Sequence, residues 1–121
     1  GFIIGSPKSG YHESYGKIRE RWNKIGNEKG TLGFPISDVI EGKGYKIQHY
    51  EKGDIIGNDN LGYWEIQGDV FKFYNSLNDT QKDKLGLPLK SEAWNNGKWT
   101  QHFERGSITG VGNKYILKID K

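Results

Sequence analysis

The sequence predicts a β-rich α+β fold built from tandem repeats, and three observations support this class. The line Gln-His-Tyr-Glu-Lys-Gly-Asp-Ile at residues 48–55 returns 53 positions later, at 101–108, as Gln-His-Phe-Glu-Arg-Gly-Ser-Ile. Leu-Gly-Phe-Pro at residues 32–35 recurs at the same offset, at 85–88, as Leu-Gly-Leu-Pro. Eighteen glycines favour tight turns and short strands. Self-similarity at a fixed period is the signature of a repeat architecture.

A third repeat match sets the count of units. Residues 1–16 match residues 53–68 at an offset of 52, so the chain begins within a unit. Counting from Gly1, a single repeat domain divides into unit one at 1–52, unit two at 53–105 and a partial unit three at 106–121. We therefore expect about two and a fraction units of 52–53 residues, each with a short helix, a corner and a β-hairpin.

The helix is the first element expected in each unit. In residues 17–25 the apolar side chains recur at the spacing of one helix face, and Gly26 is a natural stop. Residues 69–77 show the same spacing, and Asp69 is able to cap the start. Each unit is therefore predicted to hold one short helix.

A polar loop is predicted after the helix, followed by the Leu-Gly-X-Pro corner. The glycine permits a backbone bend and the proline fixes the exit direction. Tyr45–Tyr50 and Lys98–Phe103 have the β-branched and aromatic content of strands, and each precedes a glycine turn. Two short strands per unit are predicted to form the hairpin.

Composition limits the classes of protein. Hydrophobic residues make up 33% of the chain and aromatic residues 13%, so large rings must carry much of the buried area. The absence of cysteine leaves the compartment open, and no apolar run is long enough to span a membrane. The net charge of +3 is scattered along every unit, whereas nucleic-acid binders concentrate basic residues on one stripe. We expect no nucleic-acid partner and no membrane span.

These motifs resemble the LGFP repeat of bacterial cell-envelope and secreted proteins. The resemblance rests on the corner, the downstream aromatic-Glu-X-Gly-X-Ile segment and an upstream Gly-X-Ile-X-X-X-Trp helix, and it covers essentially the whole chain. In the second corner Leu87 stands where the family has Phe. The resemblance implies a secreted or cell-surface module, in tandem copies beside a wall enzyme such as a mycolyltransferase or hydrolase, that binds a polysaccharide or cell-wall glycan.

The repeat number leaves the assembly open. Two units and a fraction are too few to close a propeller-like ring. An open array of units is also compatible with the pattern. We expect either a piece of a longer array or a homo-oligomer in which neighbouring chains complete the repeats.

The repeated polar residues have a structural and a functional interpretation. His49 and His102 share a strand face with Glu51 and Glu104, which is compatible with a metal or acid–base pair, but His12 does not join the series. Hydrogen-bonded strand residues are the simpler interpretation, and no metal site is predicted.

The same choice applies to the two repeated glutamines and to the corner. Gln48 and Gln101 could bind turn backbone or a sugar hydroxyl, and the corner residues could line a groove. Repetition at the same structural step is what packing between units requires, so a structural role is expected for both.

Catalysis finds little support in the sequence. There is no cysteine nucleophile, no Gly-X-Ser-X-Gly elbow and no phosphate-binding loop, so we expect a non-enzyme without cofactors. A glycosidase needs two carboxylates held across a cleft. The acid–base candidates that remain are the pairs Asp38 with Glu41 and Asp54 with Asp59, together with Glu51, Glu104 and His49.

Aromatic residues that break the repeat are the best candidates for binding. Trp64 stands where unit one has His12, Trp99 stands where it has Lys46, and Trp94 also has no aromatic counterpart. Flat rings suit stacking against sugar faces while nearby amides and carboxylates bind hydroxyls. The predicted ligand-binding residues are Trp64, Trp94, Trp99, Tyr63, Asn58, Asp59, Asn60, Asn95 and Asn96.

The predicted function is a non-catalytic carbohydrate or cell-wall polysaccharide binding and anchoring module. The alternatives are a structural or oligomer-assembly repeat protein, in which these rings merely fill the core, and a wall hydrolase. Glycan binding that competes with free sugar would separate the binding module from the structural protein. Release of reducing sugar or peptide from cell wall would support the hydrolase.

Overall fold

The computed structural model describes residues 2–120 and confirms the β-rich α+β class. These residues form ten strands: β1 Phe2–Ser6, β2 Gly10–Ser14, β3 Ile40–Gly42, β4 Tyr45–Tyr50, β5 Gly53–Asn58, β6 Gly62–Gln67, β7 Ala93–Asn95, β8 Lys98–Phe103, β9 Gly106–Val111 and β10 Lys114–Ile119. The helices are α1 Gly16–Lys24, α2 Gly68–Ser76 and α3 Asp79–Leu85, with a 3₁₀ turn at Asn27–Lys29.

The strands form three antiparallel sheets over the described residues. β1 pairs with β2, and the other two sheets have the orders β3-β4-β5-β6 and β7-β8-β9-β10. Both strands predicted from composition, β4 and β8, are confirmed, but the prediction of only two strands per unit is wrong. β3 and β7 have three residues each, which is too short to show an alternating pattern. The two unit boundaries counted from Gly1 fall between neighbouring strands of one sheet. The first lies between β4 and β5, and the second between β8 and β9.

The helices follow the predicted apolar faces. Ile18 and Trp22 of α1 are buried, and the helix is followed by Gly26 with a φ of +113°, as the stop signal predicts. The predicted Asp69 cap is wrong, because Gln67 occupies the capping position of α2 without a side-chain bond and Asp69 lies in the first turn.

The loop expected after the second helix is helical instead. α3 begins with a capping box in which Asn78 accepts from the Gln81 N–H and the Gln81 side chain accepts from the Asn78 N–H. Arg105 donates to the carbonyls of Lys84 and Asp83 at the other end. Because only Leu85 is buried, α3 lacks the apolar periodicity that would predict it.

The two corners have the same construction. Gly33 and Gly86 have φ values of +77° and +83°, which other residues rarely adopt. The Glu51 carboxylate accepts the N–H that follows Gly33 at 2.8 Å, and Glu104 accepts the N–H that follows Gly86 at the same distance. A Cβ on Gly33 would lie 2.5 Å from Glu51 Oε1, so a side chain at this position would displace the carboxylate from its bond.

The core consists of two clusters of buried residues. One cluster contains Ile18, Trp22, Leu32, Tyr50, Ile55 and Tyr63. The other contains Ile56, Ile66, Val70, Leu77, Leu85, Phe103 and Ile108. Trp22 and Tyr50 of the first cluster stack with ring centroids 6.2 Å apart, and Phe103 of the second stacks with the partly buried Tyr74 at 5.8 Å. Four of these thirteen buried residues are aromatic and nine are aliphatic, so aromatic rings contribute to the core without dominating it.

Gln48 joins neighbouring parts of the chain. Its side chain is fully buried, and its carboxamide nitrogen donates to the carbonyls of Glu13 on β2 at 3.2 Å and of Ser37 at 2.9 Å. Its carboxamide oxygen accepts from the hydroxyls of Ser14 at 2.8 Å and Tyr50 at 3.0 Å. All of these bonds are internal, so Gln48 has the structural role expected of it.

Gln101 has the same position in the second large sheet but only half of the same bonds. Its nitrogen donates to the carbonyls of Glu65 at 3.0 Å and of Lys90 at 2.9 Å. Its buried oxygen has no hydrogen-bond partner among the described residues. The residues that replace the two hydroxyl donors are Ile66 and Phe103, and neither can donate.

Candidate functional site

The predicted ligand-binding residues lie in three different places. Trp94, Trp99 and Asn96 belong to β7, β8 and the turn between them, while Asn58, Asp59, Asn60 and Tyr63 surround a hollow on the β3–β6 sheet. Trp64 neighbours Tyr63 on β6, and successive strand residues point to opposite faces. The structure therefore brings together two subsets of the predicted site rather than all of it.

The first subset forms a line of aromatic residues across one sheet. Trp94 pairs with Trp99, Trp99 with Gly110, and Gly110 with Tyr115, so all four positions share one face. Trp94 is 58% exposed and Trp99 is 40% exposed, with ring centroids 5.2 Å apart and planes tilted by 57°. We call Trp94, Trp99, Gly110 and Tyr115 the aromatic row.

Gly110 on β9 and Tyr115 on the edge strand β10 complete the row. A Cβ on Gly110 would lie 2.4 Å from the Tyr115 ring, so the ring lies close to the bare backbone of β9. The Tyr115 ring also stacks on Phe73 of α2, with centroids 5.7 Å apart. Burial and the nearby Asp69 raise the pKa of Tyr115, which stays a neutral hydroxyl at physiological pH. Sequence reasoning missed both residues, because only the strand register places them beside the tryptophans.

Asn96 owes its identity partly to the backbone. With Gly97 it forms the two-residue connection between β7 and β8, and both residues have positive φ, of +50° and +80°. Asn-Gly is the preferred sequence for this type of hairpin turn. The turn nevertheless leaves an exposed amide at the end of the strands that carry Trp94 and Trp99.

The second subset lines a surface hollow of about 430 Å³ on the other large sheet. We call it the β3–β6 hollow, and its lining consists of Glu41, Gly42, Gly44, Tyr45, Lys46, Asn58, Asp59, Asn60 and Tyr63. Glu41 pairs across the strands with Lys46, at the positions that Trp94 and Trp99 occupy in the other sheet. Lys46 Nζ lies 3.6 Å from Glu41 Oε1 and 5.5 Å from the centroid of the Tyr15 ring.

The loop of the β3–β6 hollow is held by hydrogen bonds of its own. Asp59 accepts from the Tyr63 hydroxyl at 3.2 Å and lies 3.9 Å from Lys17 Nζ. Burial and the Asp59 carboxylate raise the pKa of Tyr63. Asn58 accepts the Leu61 N–H at 2.8 Å and donates to the Gly44 carbonyl at 3.1 Å. Asn58 therefore braces the loop, whereas Asp59 and the exposed Asn60 face solvent.

Trp64 is partly exposed and belongs to a polar network. Its indole N–H donates to the Leu61 carbonyl at 3.0 Å, and the Arg21 guanidinium lies 4.7 Å from its ring centroid. Arg21 forms a bidentate pair with the buried Glu65 at 2.8 and 3.2 Å and also donates to Ser91 at 2.7 Å. The ring is occupied by internal partners, so Trp64 is explained by packing between segments distant in sequence.

The acid–base candidates are also engaged within the fold. His49 Nδ1 lies 2.7 Å from Asp54 Oδ1, and this bond raises the pKa of His49. Asp38 accepts the Glu13 N–H at 2.9 Å and lies 3.4 Å from His12 Nδ1. Residues 2–120 contain no group of three His, Asp or Glu side chains able to hold a metal ion.

Comparison with known proteins supplies no relative. No family model matches the chain, and no curated protein is similar to it in sequence. Within residues 2–120 no helix combines the length and the apolar character needed to cross a membrane. Functional inference therefore rests on the geometry of the aromatic row and the β3–β6 hollow.

Proposed function

We propose that this chain is a non-catalytic module that binds carbohydrate, with cell-wall polysaccharide as the anchoring ligand. The observation that carries the proposal is the exposed Trp94–Trp99 pair, continued by Gly110 and Tyr115 into one aromatic row. A contiguous exposed aromatic patch marks a surface that binds a ligand or another macromolecule. The pyranose faces of a polysaccharide offer the apolar C–H surface that such rings stack against.

The chemistry around the row favours a neutral polymer. Trp94 and Trp99 occupy the positions at which the other sheet has the ion pair of Glu41 and Lys46. None of the residues in the row from Trp94 to Tyr115 therefore carries a formal charge. Asn96 contributes an amide at the adjoining turn, suited to hydroxyl groups. The β3–β6 hollow has the ion pair of Glu41 and Lys46 in place of the two rings and is not part of the proposed contact.

We further propose the tandem-repeat architecture and its LGFP type. The β3–β6 and β7–β10 sheets share strand order and cross-strand pairing, at an offset of 53 residues for the first three strands and 52 for the last, and the β1–β2 pair corresponds to β5–β6. Four-stranded antiparallel meanders are the units of propeller-like folds and of open arrays. A secreted or cell-surface location, and assembly with further copies, follow from the LGFP resemblance.

The test compares variants at matched positions of the two sheets. Wild type, Trp99→Ala and Lys46→Ala are assayed on a glycan array and by pull-down with purified bacterial wall polysaccharide, competed with free oligosaccharide. Trp99→Ala should weaken binding at least about tenfold, which corresponds to 1.4 kcal/mol, while Lys46→Ala should bind as wild type does. Circular dichroism of each variant confirms that the fold is retained.

Two results would count against carbohydrate binding. If wild type binds no glycan and no wall fraction, the structural or assembly alternative is favoured. If Trp99→Ala and Lys46→Ala weaken binding equally, the aromatic row is not the binding surface. Release of reducing sugar from wall material would instead support the hydrolase alternative.

A further inference from the structure

A second cavity of about 510 Å³ lies apart from the β3–β6 hollow, where three segments of the chain meet. The first corner contributes Thr31 and Glu51, the start of α2 contributes Gln67 and Phe71, and Glu92 lines it from the segment before β7. We call it the seam cavity. Its volume is within the range of pockets that hold small organic ligands.

The hydrogen bonds beside the seam cavity run in one direction. The Thr31 hydroxyl donates to the carboxamide oxygen of Gln67. This bond orients the Gln67 amide group so that its nitrogen can donate towards the Glu92 carboxylate, whose pKa Gln67 lowers. Thr31 and Gln67 are therefore donors in one series, and the Glu92 carboxylate is its final acceptor.

Within the described part of the chain the Glu92 carboxylate has no cationic partner. Among residues 2–120, no Lys, Arg or His side chain forms an ion pair with it. Lys52 and Lys72 also line the cavity, but both are exposed; Lys72 lies 3.8 Å from Asp69, and neither lysine forms an ion pair with Glu92. Burial raises the pKa of Glu92, as do Glu65 and Asp69, while the Gln67 bond lowers it. A half-buried carboxylate of this kind gains most from a ligand that brings a positive charge.

Phe71 supplies the apolar part of the seam cavity. Its ring is half-buried against the core cluster that contains Val70 and Leu85. An aromatic ring attracts an ammonium group at short range and packs against a hydrocarbon chain. The Glu92 carboxylate and the Phe71 ring lie on walls formed by different segments. Together they match a ligand with a cationic end and a hydrocarbon end.

We infer that the seam cavity binds a primary alkylammonium group, with the ammonium at Glu92 and the hydrocarbon chain on Phe71. The charge selects an amine over an alcohol, because only the amine neutralises Glu92 while donating to it. The site is distinct from the aromatic row and does not depend on carbohydrate binding.

The probe for this site is n-pentylammonium, with pentan-1-ol as the neutral ligand of equal chain length. In amide-detected NMR titrations of the whole chain, n-pentylammonium should shift the Gln67 side-chain amide and the Phe71 backbone signal to saturation. Pentan-1-ol should bind at least about tenfold more weakly. Glu92→Gln should reduce n-pentylammonium binding to the level of pentan-1-ol, whereas the exposed control Glu28→Gln should change nothing.

A second variant tests the ring separately from the charge. Phe71→Leu keeps an apolar wall but reduces the area that the hydrocarbon chain can cover, so n-pentylammonium binding should fall by about threefold. The inference is overturned if the two ligands bind equally, if Glu92→Gln retains full binding, or if n-pentylammonium causes no saturable shift at Gln67. Glu92→Gln should still bind glycan, so failure here and failure of the carbohydrate proposal are distinguishable.

Discussion

The β3–β6 and β7–β10 sheets share their strand order and a set of corner and glutamine hydrogen bonds. They differ at positions that these bonds do not constrain. Both have a corner in which a glutamate carboxylate, from Glu51 or Glu104, accepts a backbone N–H at 2.8 Å. Both have a buried glutamine, Gln48 or Gln101, that donates to two backbone carbonyls. Residues kept in both sheets are thus the ones that form these bonds, which explains their repetition without a ligand.

The differences between the two sheets fall into two kinds. Inside the protein, the carboxamide oxygen of Gln48 accepts two hydroxyls, whereas that of Gln101 is buried without a partner. On the surface, an exposed ion pair in one sheet corresponds to the Trp94–Trp99 pair in the other. The interior difference changes stability, and the surface difference changes what the face can bind.

Removing the two glutamine side chains should produce the largest and most unequal effects. Gln48→Leu leaves two carbonyls and two hydroxyls without their partner, and we expect the free energy of unfolding to fall by about 4 kcal/mol. Gln101→Leu leaves only two carbonyls and removes an unpaired oxygen, so a loss of about 2 kcal/mol is expected. Urea denaturation of both variants measures this difference, and equal losses would mean that the hydroxyls around Gln48 contribute nothing.

Transferring the aromatic pair to the first sheet should create a second binding face. The double variant Glu41→Trp, Lys46→Trp places two rings at the register positions of Trp94 and Trp99. Binding to wall polysaccharide should rise by about tenfold, because one polymer can then engage two sites. Glu41→Ala, Lys46→Ala is the control and should leave binding unchanged. A double tryptophan variant that folds but binds no better would show that exposed rings alone do not define the site.

Exchanging one hydroxyl between the sheets should have opposite effects on stability. Phe103→Tyr places a hydroxyl at the position from which Tyr50 donates to Gln48, and should raise the free energy of unfolding by about 1 kcal/mol through a bond to Gln101. Tyr50→Phe should lower it by about the same amount. Thermal and urea unfolding test both variants, and destabilisation by Phe103→Tyr would contradict the assignment of the unpaired oxygen.

The pH dependence at His49 should be the smallest difference. His49 bonds to Asp54, whereas the residue opposite His102 is Ser107, and the bond raises the His49 pKa above its ordinary value of 6.5. The folded state therefore holds this proton more tightly. The added stability is complete below the unfolded-state value and is lost as pH rises through the folded-state value.

Asp54→Ser, which copies the second sheet, tests this contribution. When the pH falls from about 8.5 to about 5.5, the free energy of unfolding should increase more in the wild type than in the variant. Because the His49 side chain is 42% exposed, the excess should be modest. An identical pH dependence in both proteins would contradict the His49–Asp54 contribution.

Local sequence rules predicted the elements with strong local signals and missed those without. β4 and β8 were predictable from β-branched and aromatic content, and α1 from its apolar spacing. α3 was missed because it buries a single side chain, although the Asn78 and Gln81 capping box was present in the sequence. β7 depends on pairing with β8 and has too few residues to show a period.

The candidate site was predictable only where it breaks the repeat. Trp94 and Trp99 stood out because the other unit has no ring at either position. Tyr115 and Gly110 join them through strand register, which no local pattern encodes. Trp64 broke the repeat equally well, but it packs in a network with Arg21, a residue more than 40 positions away. Departure from the repeat therefore nominates a residue, and exposure decides whether it can bind.

The indole N–H signals of the four tryptophans test the central proposal most directly. Trp22 and Trp64 donate to backbone carbonyls, both at 3.0 Å, and serve as internal controls for Trp94 and Trp99 on the aromatic row. The protein is titrated with soluble hexasaccharides of glucose, xylose and N-acetylglucosamine and with solubilised wall polysaccharide. Binding at the row predicts saturable shifts of the Trp94 and Trp99 signals by at least one of these ligands, with Trp22 and Trp64 unmoved. Absence of any shift, or shifts confined to Trp64, would contradict it.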